Sequence, residues 1–407
     1  MVEYLQPLNA LPIRPNEQSM KDDTKLTHSG RKPFENHGVV NPPVYHASTI
    51  LFPTMEEYLN RSSSARIRYG RRGTPTTFAL EDALTELEGG PAKGTAIVPS
   101  GLAAITMALM AFVQSGDHIL ITDNTYGPTR SFSAGKLSQL GIEAEFYNPD
   151  IGAGIEELIR PNTRLIWLES PGSQTFEMQD VKAIADVAKT KNVITLIDNT
   201  WSGGYYFKPL SHGIDISVQA GTKYIVAHSD VMLGSITCNE ATFDQVYASA
   251  QSFGACSGPD DIYLALRGLR TMGVRMPRHH ESGLKIARWL QDRSEVTRVM
   301  HPGLPQDPGH ALWKRDFTGA SGLFGFVVES GNPAKAAALM DDLKLFGMGS
   351  SWGGFESLLI PAAPEKNRSV TYWNPGGFTM RIHVGLEDAD DLIDDLDAGF
   401  ERYNKAD

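Results

Sequence analysis

From about Gly90 onward, short apolar runs of strand length alternate with stretches of helical periodicity, and this feature restricts the fold most tightly. "GTAIVPS" is followed by "GLAAITMALMAFVQSG" and "DHILITD"; "TRLIWLES" is followed by "MQDVKAIADVAKTKN", "NVITLIDNT" and "DISVQAG". The strand segments are apolar throughout rather than alternating, as strands in a sheet covered on both faces are. Their alternation with helices predicts a mostly parallel α/β sheet. A second unit starts near the helical "LALRGLRTMGVRM" and "KIARWLQDR", then runs through "SGLFGFVVES" (strand), "NPAKAAALMDDLKLF" (helix), "FTMRIHVGLED" (strand) and "ADDLIDDLDAGFERY" (helix). That is the pattern of a smaller C-terminal α+β domain. Ahead of both, residues 1 to about 65 carry little periodicity, and "NPPVYHASTILFP" looks extended, so an N-terminal arm is expected there.

Composition narrows the function classes. A chain of 407 residues, 41% hydrophobic and 21% charged, can bury a large core. A net charge of −11 and the lack of a Lys/Arg block argue against a nucleic-acid or membrane surface. The two cysteines, Cys238 and Cys256, make neither a zinc spacing nor a disulfide framework, which leaves no metal expected and a reducing cytoplasm as the default location. "MVEYLQPLNALPIRPNEQSM" lacks the charged start and apolar core of a signal peptide, and no apolar segment is long enough to span a bilayer.

Polar residues close the predicted strands, where open α/β sheets bind ligands. Ser100 and Gly101 follow "TAIVP", Glu169 and Ser170 follow "RLIWL", Asp198 follows "VITLI", and Thr222 and Lys223 close "ISVQAG". Ser100–Gly101 opens an apolar helix whose free N–H groups and dipole favour an anion such as phosphate; an ordinary N-cap explains the pair equally well. Neither GxGxxG nor GxxxxGK[ST] occurs, which removes the usual dinucleotide and triphosphate cradles. Asp198, ending an apolar strand, needs a cationic partner or several donors, or is a turn aspartate. Lys223 among small and apolar residues can carry a lowered pKa and form Schiff bases, or can snorkel. Taken singly, the ordinary explanations suffice. Together, a lysine, an acid and a phosphate cup fit one cofactor, pyridoxal 5′-phosphate.

The ordered stretches "YGRRGTPT", "LEGG", "LESPGS", "IDNTW", "TKYIVAHSD", "RGLRTMGVR", "HHESGLKIA", "LWKRDFTGASGLF", "SWGGFESL" and "RIHVGLEDADDLI" cover nearly the whole chain. On them the chain resembles the fold-type I pyridoxal-phosphate enzymes of cysteine and methionine metabolism, in particular their β-lyase branch. The resemblance implies an aspartate aminotransferase-like fold, divided into an arm (1–73), a cofactor domain (74–268) and a C-terminal domain (269–407). It implies Lys223 as the Schiff-base lysine, Asp198 paired with the pyridinium nitrogen, and Tyr126 stacked on the ring and helping to move protons. Gly101, Leu102 and Thr222 would hold the phosphate, with Tyr69 and Arg71 reaching it from a neighbouring subunit. Arg381 would clamp the substrate α-carboxylate, with Ser351, Trp352 and Arg72 also at the substrate; a structural ion pair of Arg381 with Glu387 or Asp388 is the alternative. "YGRRGTPT" and "SWGG" are of the β-lyase type, whereas the γ-type relatives read close to "YSRxGNPT" and "SLGG". Ser350, Ser131 and Ala220 depart from residues frequent in the family. The implied reaction is β-elimination from cystathionine to homocysteine, pyruvate and ammonia, in a homotetramer whose sites are shared between two chains; the alternatives are a broad cysteine-S-conjugate β-lyase, a γ-lyase or γ-synthase-type enzyme, and a non-catalytic binder of the cofactor. His279 and His280 are adjacent on a helix and point about 100° apart, so they do not make a shared ligand face.

Overall fold

The computed structural model describes residues 20–64 and 66–406. The start of the expected arm, and nearly all of the stretch read for a signal peptide, lie outside the described residues. The arm begins with α1 (Asp22–His28), which is docked on the body. Leu26 is buried, its carbonyl accepts from Arg270 at 2.6 Å, and Asp23 accepts from the Tyr205 hydroxyl at 2.7 Å. Then come α2 (Met55–Ser64) and a 3-10 turn over Gly70–Arg72.

The large unit follows in the order α3 (Pro75–Glu88), β1 (Ala92–Val98), α4 (Gly101–Met110), β2 (His118–Thr122), α5 (Gly127–Ser131), β3 (Glu143–Tyr147), β4 (Thr163–Glu169), α6 (Val181–Lys191), β5 (Ile194–Asp198), β6 (Ile216–Gln219), β7 (Gly234–Asn239), α7 (Phe243–Ser252) and α8 (Pro259–Leu269). Its seven strands lie in the order β1-β7-β6-β5-β4-β2-β3. The pairs β3–β2, β2–β4, β4–β5 and β5–β6 are parallel, and only β7 runs against its neighbours. The expected mostly parallel sheet is therefore present. On β4, Leu165 and Trp167 face one core, while Ile166 and Leu168 face the other. Burial on both faces is why "RLIWL" shows no alternation.

Two strands of this sheet carry weaker signals. β3 reads "EAEFY", with its first residue exposed and the next three half-buried, as suits a sheet edge. β7 reads "GSITCN", yet Ser235 and Thr237 are buried. Thr237 lies opposite Thr95 in register, and their hydroxyls bond at 2.8 Å, so polar side chains are satisfied across the ladder.

The C-terminal part runs α9 (Met272–Gln291), β8 (Val296–Met300), α10 (His310–Asp316), β9 (Leu323–Val328), α11 (Pro333–Met340), β10 (Phe346–Gly347), β11 (Ser357–Pro361), β12 (Phe378–His383) and α12 (Ala389–Lys405). Its five-stranded sheet has the order β10-β11-β12-β9-β8. Met272 and Met276 at the start of α9 belong to the core of the large unit, whereas Leu284, Ile286 and Leu290 belong to that of the small sheet. One helix thus runs through both cores.

A second tie joins the units. Asp123, following β2, accepts backbone N–H groups from Ser369 (2.9 Å), Val370 (3.1 Å) and Thr371 (2.7 Å) and pairs with Arg130. Burial pushes the Asp123 carboxyl up, but the Thr371 hydroxyl and these three N–H groups outweigh it and hold the pKa at about 2. The connection between β11 and β12 is thereby fixed to the large sheet. β12 carries Arg381. Among the described residues no helix is long and apolar enough to cross a membrane.

Candidate active site

The parallel strands β2, β4, β5 and β6 deliver their last residues to one edge of the large sheet. Glu169 and Asp198 are register partners there. Asp198 is half-buried, and its Oδ1 accepts from the Thr200 N–H at 3.0 Å and from the Thr200 hydroxyl. The same hydroxyl accepts from Ala220 N–H at 2.9 Å, which ties Asp198 to the turn after β6. The turn-aspartate expectation is therefore met at one oxygen; Oδ2 accepts no hydrogen bond among the described residues. Burial raises the Asp198 carboxyl, against the Thr200 bonds and the Lys223 charge. Burial and the Asp198 charge raise Glu169 well above the usual carboxylate range. Two neighbouring carboxyls in so little water call for a cation between or beside them.

Lys223 lies in the turn after β6, half-buried. Burial and the Arg381 charge, opposed by Asp198, bring its amine down to about 8. Nζ donates to the Ser351 hydroxyl and lies 5.4 Å from the centre of the Trp352 ring. Arg381 Nη2 donates to the Ser351 carbonyl at 2.8 Å. Its alternative partners are engaged elsewhere: Glu387 accepts from Ser357, and Asp388 caps α12 at Asp390 N–H. Among the described residues Arg381 thus has no carboxylate partner, and its buried Nε has no hydrogen-bond partner. Burial lowers it to about 10, so it remains charged near neutrality.

Tyr126 is 44% exposed, open enough for a ligand to cover. Its backbone N–H donates to Glu169 Oε2 at 2.7 Å, and Thr125 Oγ1 donates to the same oxygen at 3.1 Å. Burial, Asp198 and Glu169 raise its phenol, opposed by Arg381.

At the start of α4 the Ser100 hydroxyl accepts from Ala103 N–H at 3.1 Å, as an N-cap should. Gly101 and Leu102 precede that donor, and Leu102 is exposed. A Cβ at Gly101 would stand 2.5 Å from the Ala220 Cβ, so only glycine lets the helix start lie against this turn. Thr222 sits beside Lys223, but its hydroxyl accepts from Leu233 N–H at 2.9 Å and reaches Leu233 O at 3.3 Å.

Lys223, Asp198, Tyr126, Ser351, Trp352 and Arg381 thus come together, with Gly101, Leu102 and Thr222 flanking them. Tyr69, Arg71 and Arg72 do not join this group. Arg71 donates to Gln251 O at 2.9 Å, Tyr247 donates to the Arg72 carbonyl at 3.3 Å, and Tyr69 is 47% exposed. Thr200 and the positioning role of Glu169 were not anticipated, although Thr two residues after a strand-end Asp is a turn pattern. His279, bonded to Val384 O, and His280, accepting from Ala320 N–H, serve structural contacts. At the opposite end of the strands, His118, Glu143 and Glu145 form one group with metal-ligand potential among the described residues, but Arg160 holds both carboxylates.

These residues fit the cofactor implied by the sequence. Asp198 offers a carboxylate oxygen for a ring cation, and Lys223 offers an amine of lowered pKa. The glycine-packed helix start offers N–H groups for a phosphate.

Residues 23–401 match the family described as Cys/Met metabolism PLP-dependent enzyme. The chain is 44% identical over 391 residues to cystathionine beta-lyase MetC of Escherichia coli, covering 94% of this chain and 98% of that one. It is also 41% identical over 398 residues to L-alanine/L-glutamate racemase of Wolbachia pipientis, covering 94% and 98%. In structure it is similar to metB from Corynebacterium glutamicum, with a TM-score of 0.87, 28% identity, and 95% and 99% of the two chains covered.

Proposed function

The chain belongs to the Cys/Met metabolism PLP-dependent enzymes, and on that premise we propose that it is a carbon–sulfur β-lyase that cleaves L-cystathionine to homocysteine, pyruvate and ammonia. One observation carries the reading. The Lys223 amine and the Arg381 guanidinium converge on the two ends of a single residue, Ser351. A base for the substrate Cα and an anchor for its α-carboxylate are thereby set side by side, as an α-amino acid requires.

Pyridoxal 5′-phosphate, when bound, supplies an electron sink for the charge left at Cα. Gly101 and Leu102 N–H groups would hold its phosphate, and Asp198 would keep its ring nitrogen protonated. Arg381 binds the α-carboxylate in a bidentate pair. Lys223, whose pKa of about 8 puts an appreciable neutral fraction at working pH, takes the Cα proton. Tyr126 keeps its phenolic proton near neutrality, because its pKa is raised. That suits a stacking face and a proton donor to the departing sulfur better than a base. Trp352 lines the site against the Tyr224 ring, 5.5 Å away.

Relatives of similar identity carry lyase and racemase names, so product analysis decides. Purified enzyme given L-cystathionine should release pyruvate and homocysteine. Dominant 2-oxobutyrate would assign it to γ-elimination, and D-alanine formation from L-alanine outrunning pyruvate release would assign it to racemisation. A broader range of cysteine thioethers is a second reading, favoured by Ser350 and Ser131, and the same assay with cystine and djenkolic acid separates it.

The same proposal includes a cytoplasmic homotetramer in which each site is completed by Tyr69, Arg71 and Arg72 of a second copy. In support, these residues lie away from Lys223 in their own chain, and nearby Leu51 and Met55 are left 88% and 77% exposed. Coexpression of Arg71→Ala with Lys223→Ala tests it. In a mixed pair one site is whole and the other carries both defects, so random pairing restores roughly a quarter of the sites. Confirmed mixed oligomers without regained turnover would show that Arg71 serves its own chain.

A further inference from the structure

On β12, Arg381 and His383 are two residues apart and so share one face of the strand. Arg381 holds the Ser351 carbonyl, and His383 Nε2 lies 3.1 Å from Gly353 N and 3.2 Å from Gly354 O. The two side chains therefore fasten the segment 351–354 on either side of Trp352. Between these points Ser351 and Gly353 adopt φ of +82° and +85°. A positive φ at a residue other than glycine persists only where its surroundings enforce it. The segment also presses on Lys223: a Cβ at Gly353 would stand 3.0 Å from the Lys223 C, Cα and Cβ atoms.

We infer that His383 is a positioning residue: by tying Gly353 or Gly354, according to its tautomer, to β12 it keeps the Ser351 hydroxyl against the Lys223 amine. This rests on Lys223 being the reactive amine. Either neutral tautomer makes the tie, since a bare Nε2 accepts from Gly353 N–H and a protonated Nε2 donates to Gly354 O. A doubly protonated ring would add a cation beside Arg381 and Lys223. His383 is 1% exposed, with the His279 ring of α9 5.4 Å away and the Tyr224 ring 6.1 Å away. Burial first, then His279, Arg381 and Lys223, keep its pKa well below the ordinary histidine value, so the ring stays neutral.

The test compares His383→Leu, which removes the tie at similar volume, with His383→Gln, whose amide can accept or donate at the same reach. The first readout uses cofactor-free protein: trace acetylation of Lys223 by acetic anhydride across pH, followed by peptide mapping. The wild-type midpoint is expected at about 8. In His383→Leu the loosened segment admits water, and the midpoint should rise by roughly one pH unit toward the ordinary lysine value. Turnover of the loaded enzyme should fall roughly three- to tenfold, as expected for one lost hydrogen bond. His383→Gln should recover both. A wild-type midpoint in His383→Leu, or a His383→Gln protein no better than it, would overturn the inference. Should His383→Leu not fold, His383→Phe keeps a ring without either nitrogen and takes its place. A folded His383→Gln protein with a displaced midpoint is by itself sufficient to overturn it. The midpoint is read without substrate, so its failure and a failure of the cystathionine assignment are distinguishable.

Discussion

Lys223→Ala is expected to lower turnover roughly 10³- to 10⁴-fold, the upper range for loss of a positioned acid–base group. Three groups gathered beside it are poor substitutes. Arg381 stays protonated, Tyr126 has a raised pKa, and Ser351 meets the amine as its hydrogen-bond partner. The alanine protein should fold, because the side chain it lacks is half-buried and held by one hydroxyl rather than by a core. Borohydride reduction of the cofactor-loaded proteins should fix the cofactor to Lys223 in the wild type and to no residue in the variant. A reduced adduct mapped to another lysine would move the chemistry there. The pH dependence has a definite sign. Only the neutral amine is a nucleophile, so acetylation of Lys223 in cofactor-free wild type should rise about tenfold per pH unit below its midpoint near 8 and level off above it. A surface lysine of ordinary pKa would still be rising there.

Arg381→Ala is expected to raise KM for cystathionine roughly 10- to 150-fold, corresponding to about 1.5–3 kcal/mol for a charge-assisted hydrogen bond. Cofactor absorbance should persist, since the residues proposed to hold the cofactor lie on other elements. Among the described residues the guanidinium has no carboxylate partner and its buried Nε has no hydrogen bond, so its charge is available to a ligand. Its bond to the Ser351 carbonyl also steadies the segment beside Lys223, and kcat should therefore fall by a smaller factor than KM rises. Arg381→Lys should recover little, because an ammonium cannot make the two parallel bonds of the guanidinium fork. Steady-state kinetics with cystathionine check the KM, kcat and Arg381→Lys outcomes, and an absorbance spectrum checks the cofactor. An unchanged KM in Arg381→Ala would reduce this residue to a brace for the segment.

The fold and the chemistry were legible to different depths. Strands such as "RLIWL" and "VITLI" declared themselves because burial on two faces leaves them almost wholly apolar, with Arg164 at an exposed start and Thr195 satisfied by Asp215 as the exceptions. The hydroxyl-bearing β7 and half-exposed β3 did not, since Thr237 is satisfied by Thr95 from a strand remote in sequence. Lys223, Asp198 and Gly101 stood out as exceptions at the ends of apolar runs, and each had an ordinary explanation until the three were considered together.

What the sequence by itself determined is local and additive: a mostly parallel α/β sheet, a smaller C-terminal unit, and a lysine, an aspartate and a helix start at strand ends. Periodicity and burial act over neighbouring residues, so they can be read along the chain. Only the tertiary structure decided that Ser351 joins Lys223 to Arg381, that Thr200 braces Asp198 against Ala220, and that His383 holds the segment between them. These contacts bridge residues 20 to 128 positions apart. Hydrogen bonds and charge shifts depend on distances of a few ångströms, and the chain acquires those distances only when each sheet has formed and, for Lys223 and Ser351, when the two sheets are locked together.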